Sequence, residues 1–221
     1  MMKKRIFALI FIIFILTILS CGYAYSRFFN NSLFGARHIF IDGGAYKGGS
    51  IAAFEKTDLY SKYRWEIFAF EANPELIRFI PRKPNVTVFN KALWTDDKGV
   101  DFYFGINDLG GNVVKALGSD ERRAPVHVES VDFGKWLKKN FKKKDVIYVQ
   151  MDIEASEYPI LEQMLKDGSI AYIDKLYVEF HSWMKVGMEE VYKSKDKDII
   201  QRIRKLGIPL CQIDAQHCNY E

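Results

Sequence analysis

Four carboxylates stand where a sheet would gather them: Asp42, Glu71, Asp152 and Glu179. Each follows a short apolar run, Ile39-Phe40-Ile41, Ile67-Phe68-Ala69-Phe70, Val146 to Met151 and Leu176-Tyr177-Val178, with no helical period, the pattern of a buried strand. In an open parallel sheet the carboxyl ends of the strands share one rim, and ligands bind there. Carboxylates converging on such a rim can accept hydrogen bonds from a diol or an amine, or take a proton as general base. Asp152 is followed by Glu154 and Glu157, and Glu179 by His181, whose imidazole titrates near neutrality. Asp152, Glu154, Glu179 and His181 are therefore the candidate catalytic groups. No metal is expected, because the spacing of Asp152, Glu154 and Glu157 does not by itself supply the geometry of a hard-cation site.

Behind the first of these acids runs a glycine turn, Asp42-Gly43-Gly44-Ala45-Tyr46-Lys47-Gly48-Gly49, with Ser50, Ile51, Ala52 and Phe54 opening a helix. Strand, glycine turn and helix let a ligand lie against bare backbone at a helix N-terminus. The pattern is not the dinucleotide fingerprint G-x-G-x-x-G, because Asp42 ends the strand and would repel a pyrophosphate set above it. Glu71, at the end of the next strand, is placed to take both hydroxyls of a ribose.

Strands alternating with helices position these groups, which predicts an α/β fold with a largely parallel sheet. Asn73-Pro74-Glu75 predicts a helix start, with Asn as cap and Pro at the first position. Val86 to Phe89 is a third strand, and Val100 to Phe104 an edge strand paired with Val126 to Val131. The Gly- and Asn-rich stretch from Asn107 to Ser119 is long enough for a substrate loop. Phe133, Trp136, Leu137 and Phe141 share one helical face, Glu157 to Leu165 and Val191 to Leu206 form further helices, and Leu210 to Ile213 a last strand.

The chain has 221 residues, 48% of them hydrophobic, enough for one domain with a sizeable core. A net charge of +4 does not mark a nucleic-acid partner, and none is expected. Cys21, Cys211 and Cys218 have no metal-ligand spacing, and Cys211 and Cys218 are free to pair or to remain thiols. Lys3, Lys4 and Arg5 precede an uncharged apolar run from Ile6 to Leu19. Residues 1–25 are expected to be a signal-anchor with its N-terminus in the cytoplasm, followed by a linker over 26–35 and a folded domain over 36–221. The same stretch also fits a cleaved signal peptide, or a lipoprotein signal ending at Cys21.

The stretches FIDGGAYKGGS, IFAFEANPE, NKALWTDDKGVDFYF, VQMDIEASEYPILE and LYVEFH, in this order, resemble the FkbM-type S-adenosylmethionine-dependent methyltransferases. The resemblance implies a class I methyltransferase-like (Rossmann-like) open, mostly parallel sheet with helices on both faces, here preceded by an N-terminal hydrophobic helix. It implies S-adenosylmethionine over the turn, with Asp42, Gly44 and Gly48 by its methionine part, Glu71 by its ribose and the backbone at Ala92 by its adenine. Gly43, Ala45 and Asn73 complete the implied cofactor-binding set. The acceptor would be a hydroxyl of a sugar, a glycan or a small metabolite. Tyr46 stands where the family has Asn, Ala72 where Pro is common, Gln150 where Lys is usual and Ala155-Ser156 where Gly-Ala is usual. A membrane-tethered, non-catalytic binding module and a nicotinamide-dependent oxidoreductase are the competing readings.

Overall fold

The structure, a computed structural model, describes residues 35–106, 109–115, 119–184, 187–213 and 220. The expected anchor over 1–25 and all of the linker but its last residue lie outside them. The chain divides into two units, Met1–Arg37 and His38–Glu221, and the fold is that of the second. In chain order come β1 (His38–Gly43), α1 (Gly49–Phe54), α2 (Asp58–Lys62), β2 (Trp65–Phe70), β3 (Val86–Phe89), β4 (Ala92–Trp94) and β5 (Val100–Phe102). Then follow β6 (Val126–Val128), β7 (Ser130–Asp132), α3 (Phe133–Asn140), β8 (Val146–Met151), α4 (Glu157–Asp167), β9 (Lys175–Val178), α5 (Glu189–Lys205) and β10 (Leu210–Gln212).

Six strands form one sheet in the order β10-β9-β8-β1-β2-β3, and every pairing in it is parallel. Strand order reverses at β1, which sets Asp42 between Ala69 of β2 and Gln150 of β8. A crevice therefore opens beyond the carboxyl ends of β8, β1 and β2.

Both faces of the sheet are covered, which is why its strands read as unbroken apolar runs. On one face Ile39, Ile41, Ile147, Val149 and Leu176 pack against Leu137 of α3, Leu161 of α4 and Ile199 and Ile203 of α5. On the other, Phe40, Ile67 and Ala69 pack against Ile51 and Phe54 of α1, with Leu59 and Tyr60 of α2. The Phe40 and Phe54 rings stack with centroids 4.1 Å apart. The α3 helix starts where expected because Asp132 caps it, accepting from the Lys135 N–H at 3.0 Å.

Two expectations are corrected. Asn73 does cap, its Oδ1 accepting from the Glu75 N–H at 3.0 Å, but no α-helix follows, only a 3₁₀ turn over Ile77–Phe79. Pro81 is the reason: the residue before a proline is driven out of the helical region, and Ile80 is extended at ψ 128. The segment Val126 to Val131 serves two partners. Val128 pairs antiparallel with Val100, whereas Ser130–Asp132 crosses to run parallel with Ala92–Trp94. This small second layer buries Ala92, Phe102, Phe104 and Val128 beside the crevice.

Cys211 is disulfide-bonded, and the other cysteines of the chain lie outside the described residues. No helix among the described residues is long and apolar enough to cross a membrane.

Candidate functional site

The glycine turn is pinned between two strand ends. The Gly44 and Ala45 N–H groups both donate to the Phe70 carbonyl at 3.0 Å, and the Asp152 N–H donates to the Gly43 carbonyl at 3.0 Å. Gly44 takes φ +81, and a Cβ there would lie 1.9 Å from the Asp152 carbonyl oxygen. Glycine is required because β1 and β8 meet backbone to backbone, whatever ligand the turn carries. Gly48, at φ +82, faces Pro81, whose Cδ a Cβ would meet at 2.5 Å. Ala45 belongs to the core beneath α1.

Asp42 is fully buried under this turn. Its Oδ2 accepts from the Ser50 hydroxyl, while its Oδ1 meets no partner among the described residues. Burial pushes this carboxyl up to about 7, against the Ser50 hydrogen bond and with help from the charge of Glu71. Glu71 is itself buried, with Oε1 accepting from the Asn73 N–H and Oε2 from the Tyr46 N–H, each at 2.7 Å. Burial raises its pKa and these two hydrogen bonds pull it back. Each oxygen keeps a second lone pair for a ligand.

A cavity of about 190 Å³ opens above, lined among others by Gly44, Glu71, Asn73, Ala92, Asp152 and Glu154. Asp42, Gly43, Ala45 and Gly48 support it from below without lining it. Residues 109–113 close one side, and the Gly110 N–H hydrogen-bonds the Glu154 carboxylate. Paired backbone bonds between Tyr103 and Asn112, 2.8 and 2.9 Å, hold that loop over the site.

The four candidate catalytic groups converge at the carboxyl ends of β8 and β9. His181 Nε2 lies 3.3 Å from Glu154, 3.5 Å from Asp152 and 3.7 Å from Glu179. Its other nitrogen, Nδ1, lies 3.2 Å from Glu157 Oε1, which also accepts from the His181 backbone N–H at 2.8 Å. Burial lowers the pKa of His181, but the hydrogen bond and charge of Glu157, with Glu154 and Asp152, outweigh it and push it up to about 9. Asp152 is pushed up to about 7 by burial and the charge of Glu179, with His181 opposing.

Sequence reasoning placed Glu157 in an acidic run but not in the site. The structure buries it completely at the start of α4, where it fixes the His181 ring. Its neighbours Ala155, Ser156, Tyr158 and Ile160 are also buried, and an acid inside such a stretch is the signal that could have found it. Ser50, the Tyr46 backbone and Tyr220 were also missed. The Tyr220 hydroxyl donates to Gln150 Oε1, and its ring packs on Phe40, Phe54 and Tyr177.

Residues 42–210, well over half of the chain, match the family described as the methyltransferase FkbM domain. The chain belongs to this family of methyltransferases. No curated protein and no solved structure matches it.

Two consequences are measurable. A carboxyl raised on folding contributes stability that is complete below its unfolded pKa of about 4 and lost as pH rises through its folded value. Asp42, raised to about 7, makes the melting temperature fall from pH 4 to 8, and Asp42→Asn should flatten that fall in scanning calorimetry. Ala155 holds φ +73, a left-handed conformation that costs a side chain about 1 kcal/mol. Ala155→Gly relieves this strain but gives up a buried methyl worth about 0.8 kcal/mol, so the unfolding free energy in urea titration should stay within about 0.5 kcal/mol of the parent.

Proposed function

We propose that the chain transfers a methyl group from S-adenosylmethionine to a hydroxyl of a sugar, a glycan or a small metabolite. One observation carries this reading: a single cavity reaches from Glu71 and Ala92, beyond β2, to Asp152 and Glu154, beyond β8, passing Gly44 just after β1. The residues present suit the cofactor. Glu71 offers free lone pairs to a ribose diol, Ala92 gives a small wall for a flat base, and Asp42, buried beneath the turn with Oδ1 unpartnered, would be held ionised by an ammonium set above it. S-adenosylmethionine, when bound, supplies a methyl group already activated by its sulfonium.

What remains for the protein is alignment, exclusion of water and a proton acceptor. Asp152 is the base in this reading: it orients the acceptor hydroxyl and takes its proton as the oxygen attacks. A carboxyl raised to about 7 is matched to that task near neutral pH. His181, locked by Glu157, holds Asp152 and Glu154 in place through its Nε2. Residues 109–113 cover the cavity and limit the access of water.

The strand order supports a second reading as well. An all-parallel sheet reversing at β1 is also the arrangement of dinucleotide-binding folds. Against a nicotinamide cofactor stands Asp42, whose charge a pyrophosphate above the turn would meet unfavourably. Residues 1–25 are, in our reading, a membrane anchor for this enzyme. Carbonate extraction should leave the chain in the membrane pellet, and its release into the supernatant would refute the anchor.

Calorimetric titration with S-adenosylmethionine and with NAD tests the cofactor, and transfer of a labelled methyl group tests turnover and separates an enzyme from a binding module. S-adenosylmethionine should bind and NAD should not. Glu71→Ala should weaken methyl-donor binding by about 1–3 kcal/mol, the scale of lost charge-assisted hydrogen bonds. Asp152→Asn should lower turnover by about two to four orders of magnitude with donor affinity unchanged. A parallel loss of affinity would instead assign Asp152 to the donor.

A further inference from the structure

We infer that Asp152, Glu154 and His181 form a divalent-metal site on the acceptor side of the cavity, for zinc or a similar first-row ion; the inference rests on the methyltransferase reading only for what the ion does. The Nε2 nitrogen and one oxygen from each carboxylate all lie within 4.8 Å of one another. The separations from Nε2, 3.3 Å to Glu154 and 3.5 Å to Asp152, exceed those of a charge-assisted hydrogen bond, about 2.7–2.9 Å. They match instead the spacing of two ligands held at about 2.1 Å around one tetrahedral ion, which is about 3.4 Å.

A second observation lies outside the ligand set. Glu157 is fully buried, its Oε2 has no partner among the described residues, and its carboxylate is turned onto the His181 ring. A ligating histidine characteristically hands its other ring N–H to a carboxylate, which fixes the ring and aims the free nitrogen at the metal. Glu157 does this here, anchored a second time by the His181 backbone N–H. The aimed nitrogen then faces three carboxylates, Asp152, Glu154 and Glu179, an arrangement that a positive charge at this point, a proton on Nε2 or a metal ion, makes favourable. A proton on Nε2 fills this place in the metal-free chain, and an ion displaces it.

Three protein ligands leave a fourth position open, the pattern of catalytic rather than structural sites. Because Asp152 and Glu154 line the cavity, that position can take the acceptor oxygen. Asp152 binds the ion through one oxygen and keeps the other for the hydroxyl proton. The ion lowers the pKa of that hydroxyl and sets its direction of attack.

The test is cobalt(II) absorption, read on the full chain after chelator treatment, with neither methyl donor nor acceptor present. One equivalent of cobalt should produce an intense visible band of a tetrahedral site, and zinc should displace it. Glu154→Gln and His181→Gln should each weaken cobalt binding by tenfold or more, and Glu157→Gln by about tenfold as an outer-shell change. Glu154 is partly exposed, so Glu154→Gln, checked by circular dichroism, carries the test should the His181 variant fail to fold. Absence of the band, or the same band and affinity in Glu154→Gln, overturns the metal site while leaving S-adenosylmethionine titration to judge the enzyme. A cobalt band that responds to these variants supports the site, even where the methyl donor fails to bind.

Discussion

Gly44 and Asp152 meet backbone to backbone where two parallel strands end, and the site depends on that contact. With any side chain at 44 the Asp152 carbonyl would have to move by more than an ångström, since a Cβ would stand 1.9 Å from it. The contact sets the glycine turn and the carboxylate cluster against each other at one rim. The hydrogen bond from the Asp152 N–H to the Gly43 carbonyl and the two hydrogen bonds from the Gly44 and Ala45 N–H groups to the Phe70 carbonyl tie the third strand end to the same point. Residues at the carboxyl ends of β2, β1 and β8 therefore line one cavity although the lining spans residues 44 to 156 of the sequence.

Around this rim the protein concentrates negative charge. Asp42 and Glu71 are both buried on one side, while Asp152, Glu154, Glu157 and Glu179 surround a single imidazole on the other. Burial, with repulsion from neighbouring acids, raises Asp42 and Asp152, and His181 is raised because it is the nearby group able to carry positive charge. Such an arrangement is costly in isolation and serves to attract cations. Within one cavity, a sulfonium-bearing donor and a metal ion would draw on the same field from opposite ends.

Much of this was legible in the sequence. Strand ends in acid, a glycine turn and the alternation of elements placed Asp42, Glu71, Asp152, Glu179 and His181 on one rim, because period and strand polarity are local properties. What was not legible depends on contacts between distant segments. Gly44 looked like space left for a ligand and is space left for the Asp152 carbonyl. Asn73 carries a true cap, yet Pro81 stops the helix that the cap announces. Glu157 has the look of a helix-opening acid, and only the fold shows its Oε1 on both the ring Nδ1 and the backbone N–H of His181. The shift of Ser130–Asp132 from one partner strand to another, after Val128, has no signature in the sequence at all.

The departures from the family pattern acquire a physical meaning in this light. Tyr46 stands at φ +48 and Ala155 at φ +73, both in the left-handed region, at positions where the resemblance leads one to expect asparagine and glycine. Those two residue types enter that region at little cost, whereas a tyrosine or an alanine pays about 1–2 kcal/mol. Both positions take the strained shape without a residue that eases it. Each shape does work at the site: the Tyr46 N–H holds Glu71 Oε2, and Ala155 follows Glu154, itself at φ +54, which carries its carboxylate toward His181. Strain is held at both turns, and relaxation of either would release Glu71 or Glu154. The conformation is held by the backbone bonds of the rim, and of the two side chains Tyr46 lines the cavity while Ala155 packs into the core.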